Sequence, residues 1–130
     1  MKIFVFWTGI ISIFTGLALA LPWLWEKAGL NIPDSNIWLF FPATFVVIIG
    51  IILVLCSRDL NSRASIVYWV GICKLIAPSL IAGFFFKDFG PMIFGFSIIE
   101  WAFALVYFIG LPKSLNASFF DILFDKYSGR

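Results

Sequence analysis

Long apolar stretches alternate with short polar ones along the whole chain. Four apolar runs cover residues 3–25, 37–56, 64–86 and 91–111. Each is close to the ~20 residues that an α-helix needs to cross the hydrocarbon core of a bilayer. None has a polar face wide enough for a surface helix of a soluble protein. The pattern predicts an all-α fold, a four-transmembrane-helix bundle that forms a single domain over residues 1–111.

Three short polar segments, 26–36, 57–63 and 87–90, connect these runs. The first contains Gly29 and Pro33, and its Asp34-Ser35-Asn36 run can cap the helix that follows. The last is only four residues long, KDFG. Such a short connection predicts that the third and fourth helices are antiparallel neighbours.

The first run ends in a pattern with two interpretations. Ala18-Leu19-Ala20 resembles a signal-peptidase site behind a hydrophobic stretch. However, Pro22 follows closely, and the apolar run continues through Trp23 and Trp25, which are typical interfacial anchors of a transmembrane helix. We therefore expect the first helix to be retained, with cleavage as the alternative.

Residues 112–130 differ from the rest and form a tail. Pro112 is expected to end the fourth helix, because proline lacks the backbone N–H that a helix interior uses. Beyond it, four apolar residues recur at helical spacing: Leu115, Phe119, Leu123 and Tyr127. This spacing favours an amphipathic helix on the inner membrane surface. A partly disordered tail remains an alternative.

The composition supports a lipid environment. The chain is 62% hydrophobic and 12% charged, with a mean hydropathy of +1.06, and so short a chain cannot bury that much apolar surface in its own core. The net charge of +2 is too small to indicate a nucleic-acid partner. Histidine is absent, and Cys56 and Cys73 form no CxxC pair, so we expect no metal site, no cofactor and no enzymatic activity.

Lysine and arginine predict the orientation, because cytoplasmic loops carry an excess of them. With the N-terminus inside, six of these residues are cytoplasmic: Lys2, Arg58, Arg63, Lys113, Lys126 and Arg130. Only Lys27 and Lys87 then face outward. The bias predicts a multi-pass protein of the inner (plasma) membrane with both termini in the cytoplasm.

Two charged residues interrupt the hydrophobic pattern, Lys74 in the third predicted helix and Glu100 in the fourth. A charge at the bilayer centre costs about 2.5–3.5 kcal/mol on insertion scales. Counted from the predicted cytoplasmic ends at Ala64 and Leu111, both residues lie about 15–16 Å deep at 1.5 Å per residue. Because the two helices are expected to be neighbours, we predict a Lys74–Glu100 intramembrane pair.

Four further residues are expected to support a polar pocket around this pair. Gly71 and Pro78 share a helix face with Lys74, and Pro78 removes the N–H that would bond the carbonyl of residue 74. Ser97 and Tyr107 share a stripe with Glu100 and could contribute hydroxyls. On the first helix, Thr8, Ser12, Thr15 and Gly16 follow a spacing typical of close helix packing, with pocket lining as the alternative.

From about residue 50 to 112 the chain resembles a group of small bacterial four-helix membrane proteins of uncharacterised function. The resemblance rests on Arg58-Asp59, on Gly71-Ile-Cys-Lys74 with Pro78, and on Glu100-Trp101. The chain departs from the group's pattern in having Glu at position 100 and a single Trp after it. The resemblance implies that Lys74 and Glu100 belong together, and it implies no activity.

Two functions fit these features. The first is transport or permeation of an ion, proton or small solute that uses the Lys74–Glu100 pair. The second is a non-catalytic accessory or assembly subunit in which the pair is a structural staple, since a buried ion pair can act only to fix the register of two helices. Besides the lipid bilayer, either function predicts a homo-oligomer or a partner membrane protein.

Overall fold

A computed structural model describes residues 1–32, 34, 36–84 and 86–127. Within these residues the chain is mostly helical and has no strand. The helices are α1 (Lys2–Leu19), α2 (Pro22–Lys27), α3 (Asn36–Arg58), α4 (Leu60–Phe84), α5 (Phe86–Phe89), α6 (Ile93–Leu115) and α7 (Phe119–Leu123). Four of them, α1, α3, α4 and α6, are long and apolar enough to cross a membrane. The predicted all-α fold with four possible spans is confirmed.

The predicted first helix, 3–25, is in fact two helices. α1 ends at Leu19, and α2 begins at Pro22. Leu21 has an extended backbone (φ −108°, ψ 107°), as expected for a residue before proline. Pro22 then takes the first position of α2, where its missing N–H costs nothing.

The turn between α3 and α4 is tighter than the predicted segment 57–63. α3 continues to Arg58 and α4 begins at Leu60, so Asp59 alone separates them. The Asp59 carboxylate accepts a hydrogen bond from the Ser62 hydroxyl and interacts with the Ser62 backbone N–H, which caps the first turn of α4. This cap explains why α4 starts four residues before the predicted Ala64.

The other two connections differ in detail from the prediction. α3 begins at Asn36, whereas Pro33 and Ser35 of the proposed capping segment lie outside the described residues. α4 ends at Phe84 rather than residue 86, and the short helix α5 follows. Gly90 then has a φ of +81°, a left-handed conformation that glycine adopts without a steric penalty.

The prediction that Pro112 ends the last long helix was wrong. α6 continues through Pro112 to Leu115 and ends at Asn116, which is left-handed (φ 50°, ψ 44°). Pro112 cannot supply an N–H to the carbonyl of Phe108, but the Tyr68 hydroxyl donates to that carbonyl at 3.2 Å. A neighbouring helix therefore replaces the missing bond, and α6 is four residues longer than expected.

The long helices pack as two antiparallel pairs, α1 with α3 and α4 with α6. Glycines bring α1 and α3 into close contact. A Cβ atom on Gly50 would lie 2.7 Å from the carbonyl oxygen of Gly9, and one on Gly16 would lie 2.8 Å from that of Ala43. Neither position could hold a side chain without moving the helices apart, which is typical of helix pairs in membranes.

Met1 and Tyr127, the first and last described residues, lie at one end of the bundle, called here the termini end. Met1 packs against Gly110 of α6, and the Tyr127 hydroxyl accepts a bond from the Ala64 N–H at 3.2 Å. The opposite end carries α2 and α5 and is called the α2–α5 end. Four antiparallel spans produce this arrangement.

The tail does not form one continuous amphipathic helix. The left-handed Asn116 separates α6 from α7, which has only five residues. Ile122 is fully buried, and the Ser65 hydroxyl donates to the Leu123 carbonyl at 3.3 Å. The described part of the tail thus packs against the start of α4. Arg130, one of the charges used for the orientation, lies outside the described residues.

Candidate functional site

Lys74 of α4 and Glu100 of α6 form an ion pair through Nζ and Oε2. The lysine is 5% exposed. Its Nζ also donates to the Ser12 hydroxyl of α1 at 3.4 Å and lies 5.6 Å from the centre of the Phe103 ring, within cation–π range. One buried ammonium group therefore connects three of the four long helices.

The two residues meet because α4 and α6 are neighbours and each residue lies at about the same distance from the termini end of its helix. Lys74 lies fourteen residues after the start of α4 at Leu60, and Glu100 fifteen before the end of α6 at Leu115. At 1.5 Å per residue, both are about 21–22 Å from the termini end. This exceeds the expected 15–16 Å, because each helix is four residues longer at that end. The pair keeps its common level but lies nearer the α2–α5 end of both helices.

A cavity of about 330 Å³ lies beside the ion pair, among all four long helices. Lys74 and Glu100 contribute to its wall together with Thr15 and Ser97. The rest of the wall is mainly apolar and includes Phe41 and Phe45 of α3, Ile81 of α4 and Phe96 of α6. A partly open apolar cavity with a few polar groups has the character of a small-molecule site.

A small hydrophobic cluster closes the α2–α5 end of this cavity. It consists of Trp25, Leu30 and Phe89, which are all buried. The Trp25 and Phe89 rings stack with centroids 5.6 Å apart, and the Trp25 indole N–H donates to the Leu19 carbonyl. Trp25 is therefore part of this closing cluster, whereas Trp23 is 53% exposed.

The other half of the bundle, toward the termini end, is filled with side chains. Its core includes Val5, Leu53, Val67, Tyr68 and Leu111, each with no exposed surface. The ion pair thus lies at the boundary between a packed half and a half that contains the cavity. A solute beside the pair would meet closely packed side chains on the termini side.

Two residues that were expected at the pocket lie in the packed half instead. Tyr107 is fully buried, and its hydroxyl bonds with the Thr8 hydroxyl. It is seven residues from Glu100, about 10 Å along α6. A Cβ atom on Gly71 would lie 3.1 Å from the Phe108 ring, so Gly71 allows α4 and α6 to pack closely. Neither residue lines the cavity.

Pro78 and Ser97 do line the cavity. The Ser97 hydroxyl lies 2.9 Å from the Ile93 carbonyl, to which it donates, and 3.3 Å from the Pro78 carbonyl. Its hydrogen-bonding capacity is thus used largely within the protein. Ser97 contributes to the joining of α4 and α6, and Glu100 is the more available polar group.

Several parts of the site were not predicted. The spacing of Ser12 along α1 predicts close helix packing and a hydroxyl on that helix, but it does not indicate the bond to Lys74. Phe103 lies one turn from Glu100 and gave no separate signal among the seventeen phenylalanines. The α3 wall and the closing cluster arise from tertiary packing, which spacing along one helix does not reveal.

Comparison with known proteins gave no match to a family model, a curated protein or a solved structure. The site offers a buried cation, a carboxylate and an apolar chamber. Such a combination can bind a mainly apolar molecule at one polar point.

Proposed function

We propose that this chain is a multi-pass membrane protein that moves a small solute through the bilayer and holds it beside the Lys74–Glu100 pair. The observation that carries the proposal is that both members of this ion pair line a cavity among the four long helices. Ionisable groups at membrane depth are expensive and commonly mark substrate pathways. The role is a non-enzymatic one.

Among the expected cargoes, the chemistry of the wall favours a small solute over an ion or a proton. An ion loses its hydration shell in such a space and needs a series of polar groups to replace it. Here the Lys74–Glu100 pair is already neutralised, and most of the wall is aromatic or aliphatic. A mainly apolar molecule would lose little solvation there.

The packed half of the bundle supports the proposal that several copies, or a partner membrane protein, act together. Phe4 packs edge-on against both Phe103 and Tyr107, and the Thr8–Tyr107 bond closes the same region. A path to the termini end must therefore involve a rearrangement or an interface between chains.

The charge distribution supports an orientation with both termini in the cytoplasm and, for a bacterial chain, a place in the inner membrane. At the termini end, the described residues include Lys2, Arg58, Arg63, Lys113 and Lys126, against Lys27 and Lys87 at the other end. We also propose that the chain belongs to the small four-helix group, which it resembles in its Arg-Asp, Gly-x-x-Lys and acidic-Trp residues.

The experiment uses the purified full chain in liposomes. Stopped-flow light scattering would measure the permeation of solutes that range from polar to mainly apolar, namely urea, glycerol, propylene glycol and 1,2-hexanediol, and a trapped pH dye would measure proton flux. Wild-type protein should accelerate at least one solute over empty liposomes. Glu100→Gln should return that rate to the level of empty liposomes.

Glu26→Gln is the matched control, because Glu26 is an exposed residue of α2 and is not part of the cavity wall. It should permeate like wild-type protein. An unchanged rate in Glu100→Gln, or no acceleration of any solute by wild-type protein, would contradict the transport proposal. Acceleration of protons alone would replace the solute with a proton as cargo.

The connection of Lys74 to both Ser12 and Glu100 favours a second candidate, an accessory or assembly subunit with the pair as a staple. In this case a paired apolar replacement, Lys74→Met with Glu100→Leu, should preserve the co-purification of a larger membrane complex after mild extraction. The transport proposal instead expects this double variant to assemble but to lose solute permeation.

A further inference from the structure

The two oxygens of the Glu100 carboxylate have different surroundings. Oε2 pairs with Lys74, whereas Oε1 receives no hydrogen bond from any described residue. The Glu100 side chain is 26% exposed, while that of Lys74 is 4% exposed. Because Glu100 lines the cavity, its second oxygen is a charged acceptor that a molecule inside the cavity can reach.

This oxygen selects for a hydrogen-bond donor. A carboxylate can only accept hydrogen bonds, and a bond to a charged group contributes more than one between neutral groups. An anionic head group would be repelled by Glu100, and Lys74 is enclosed by Glu100, Ser12 and Phe103. A cationic head group would lack a free negative charge, since Lys74 already neutralises Glu100. A neutral hydroxyl fits this site best.

The cavity also has a side at the outer surface of the helix bundle. Phe41 and Phe45 of α3 are 69% and 46% exposed, and Cys73 of α4 is exposed, although all three line the cavity. α3 and α4 are joined by a tight turn at the termini end and contact each other only sparsely. The two helices therefore separate toward the α2–α5 end and leave a lateral opening.

We infer that the cavity admits a lipophilic alcohol or phenol sideways from the bilayer between α3 and α4, and that Glu100 Oε1 accepts its hydroxyl. This inference rests on the proposed function in so far as it takes the cavity to be the cargo site. The apolar part of the ligand lies along the wall between Glu100 and the closing cluster. A polar group at this depth is stabilised only where such a partner exists.

Trp25 provides the readout, because it lines the cavity at the end away from Glu100. The full chain in lipid nanodiscs is titrated with four probes of equal chain length: ω-bromoundecanol, its methyl ether, bromoundecane and ω-bromoundecanoic acid. Bromine quenches nearby tryptophan fluorescence. Trp25→Phe gives the quenching of the other five tryptophans, which is subtracted at equal mole fraction of probe in the lipid.

The alcohol should quench Trp25 at a roughly 10- to 100-fold lower mole fraction than the methyl ether, because the ether cannot donate to the carboxylate. Lys74→Met with Glu100→Leu should abolish this difference, and Glu26→Gln should preserve it. Equal quenching by alcohol, ether and alkane would overturn the inference and identify an unselective acyl-chain site. Strongest quenching by the acid would assign the head group to Lys74 and overturn it as well.

Thermal unfolding of the wild-type protein with each probe gives the same ranking without any variant. The flux assay separates the two proposals. Selective binding of the alcohol without solute permeation would end the transport proposal and leave this inference standing. Permeation without selectivity for the alcohol would support the transport proposal and overturn this inference.

Discussion

The hydroxyl of Tyr68 donates a hydrogen bond to the carbonyl oxygen of Phe108 at 3.2 Å. In an uninterrupted helix this carbonyl would bond the N–H of residue 112, which is proline here. Tyr68 has no exposed surface. A side chain of α4 thus satisfies a carbonyl of α6 that the helix itself leaves without a donor.

Tyr68→Phe should lower the free energy of unfolding by about 1–3 kcal/mol, because it leaves the part-buried Phe108 carbonyl without a donor. Unfolding of the detergent-solubilised protein, followed by circular dichroism, would measure the change. In a Pro112→Ala background the same substitution should cost clearly less, since the restored N–H at position 112 can bond the Phe108 carbonyl. An equal cost in both backgrounds would show that this hydrogen bond is not the source of the effect.

The ion pair leads to a second prediction. Lys74→Met alone should destabilise the protein by about 3–5 kcal/mol, because it leaves the Glu100 carboxylate without its counter-charge. Lys74→Met combined with Glu100→Leu should cost markedly less, because no charge is stranded. Unfolding midpoints of the two variants in the same detergent would be compared. A double variant as unstable as the single one would indicate that Lys74 acts mainly through Ser12 and Phe103.

The sequence predicts the features that can be counted along the chain, and it does not predict those set by the packing of distant segments. The contact of Lys74 with Glu100 follows from a short connection and an equal distance to the helix ends, both of which can be counted along the chain. The cavity, by contrast, is set by how α3 diverges from α4, and no local pattern carries that information. The transmembrane pattern is likewise local, and the four long helices were found.

The wrong prediction for the end of α6 also arises from a contact between residues that are distant in sequence. Pro112 has the local chemistry of a terminator, but Tyr68, more than forty residues earlier, supplies the missing donor. A distant residue thus outweighs the local preference of Pro112, so the local sequence alone gives the wrong end for α6.

The glycines of α3 and α6 provide a matched comparison. Gly50→Ala should destabilise the protein by about 1–3 kcal/mol, because a Cβ atom would lie 2.7 Å from the backbone of α1. Gly95→Ala meets nothing within 4 Å, so it should be neutral or stabilise by up to ~1 kcal/mol through helix propensity. Thermal unfolding of both variants tests this. Equal effects would argue against close α1–α3 packing.

Asp59 predicts how stability depends on pH. The Ser62 hydroxyl and backbone N–H hold the pKa of the Asp59 carboxyl below its usual value of 3.8. Because the folded pKa is lower than the unfolded one, the carboxylate stabilises the fold above pH 3.8, and this stabilisation is lost as the pH falls through the folded pKa. Asp59→Asn keeps an acceptor for the Ser62 N–H but cannot titrate. Unfolding temperatures measured from neutral to acidic pH should therefore fall less for Asp59→Asn than for the wild type, whereas parallel curves would mean that other carboxyl groups cause the acid sensitivity.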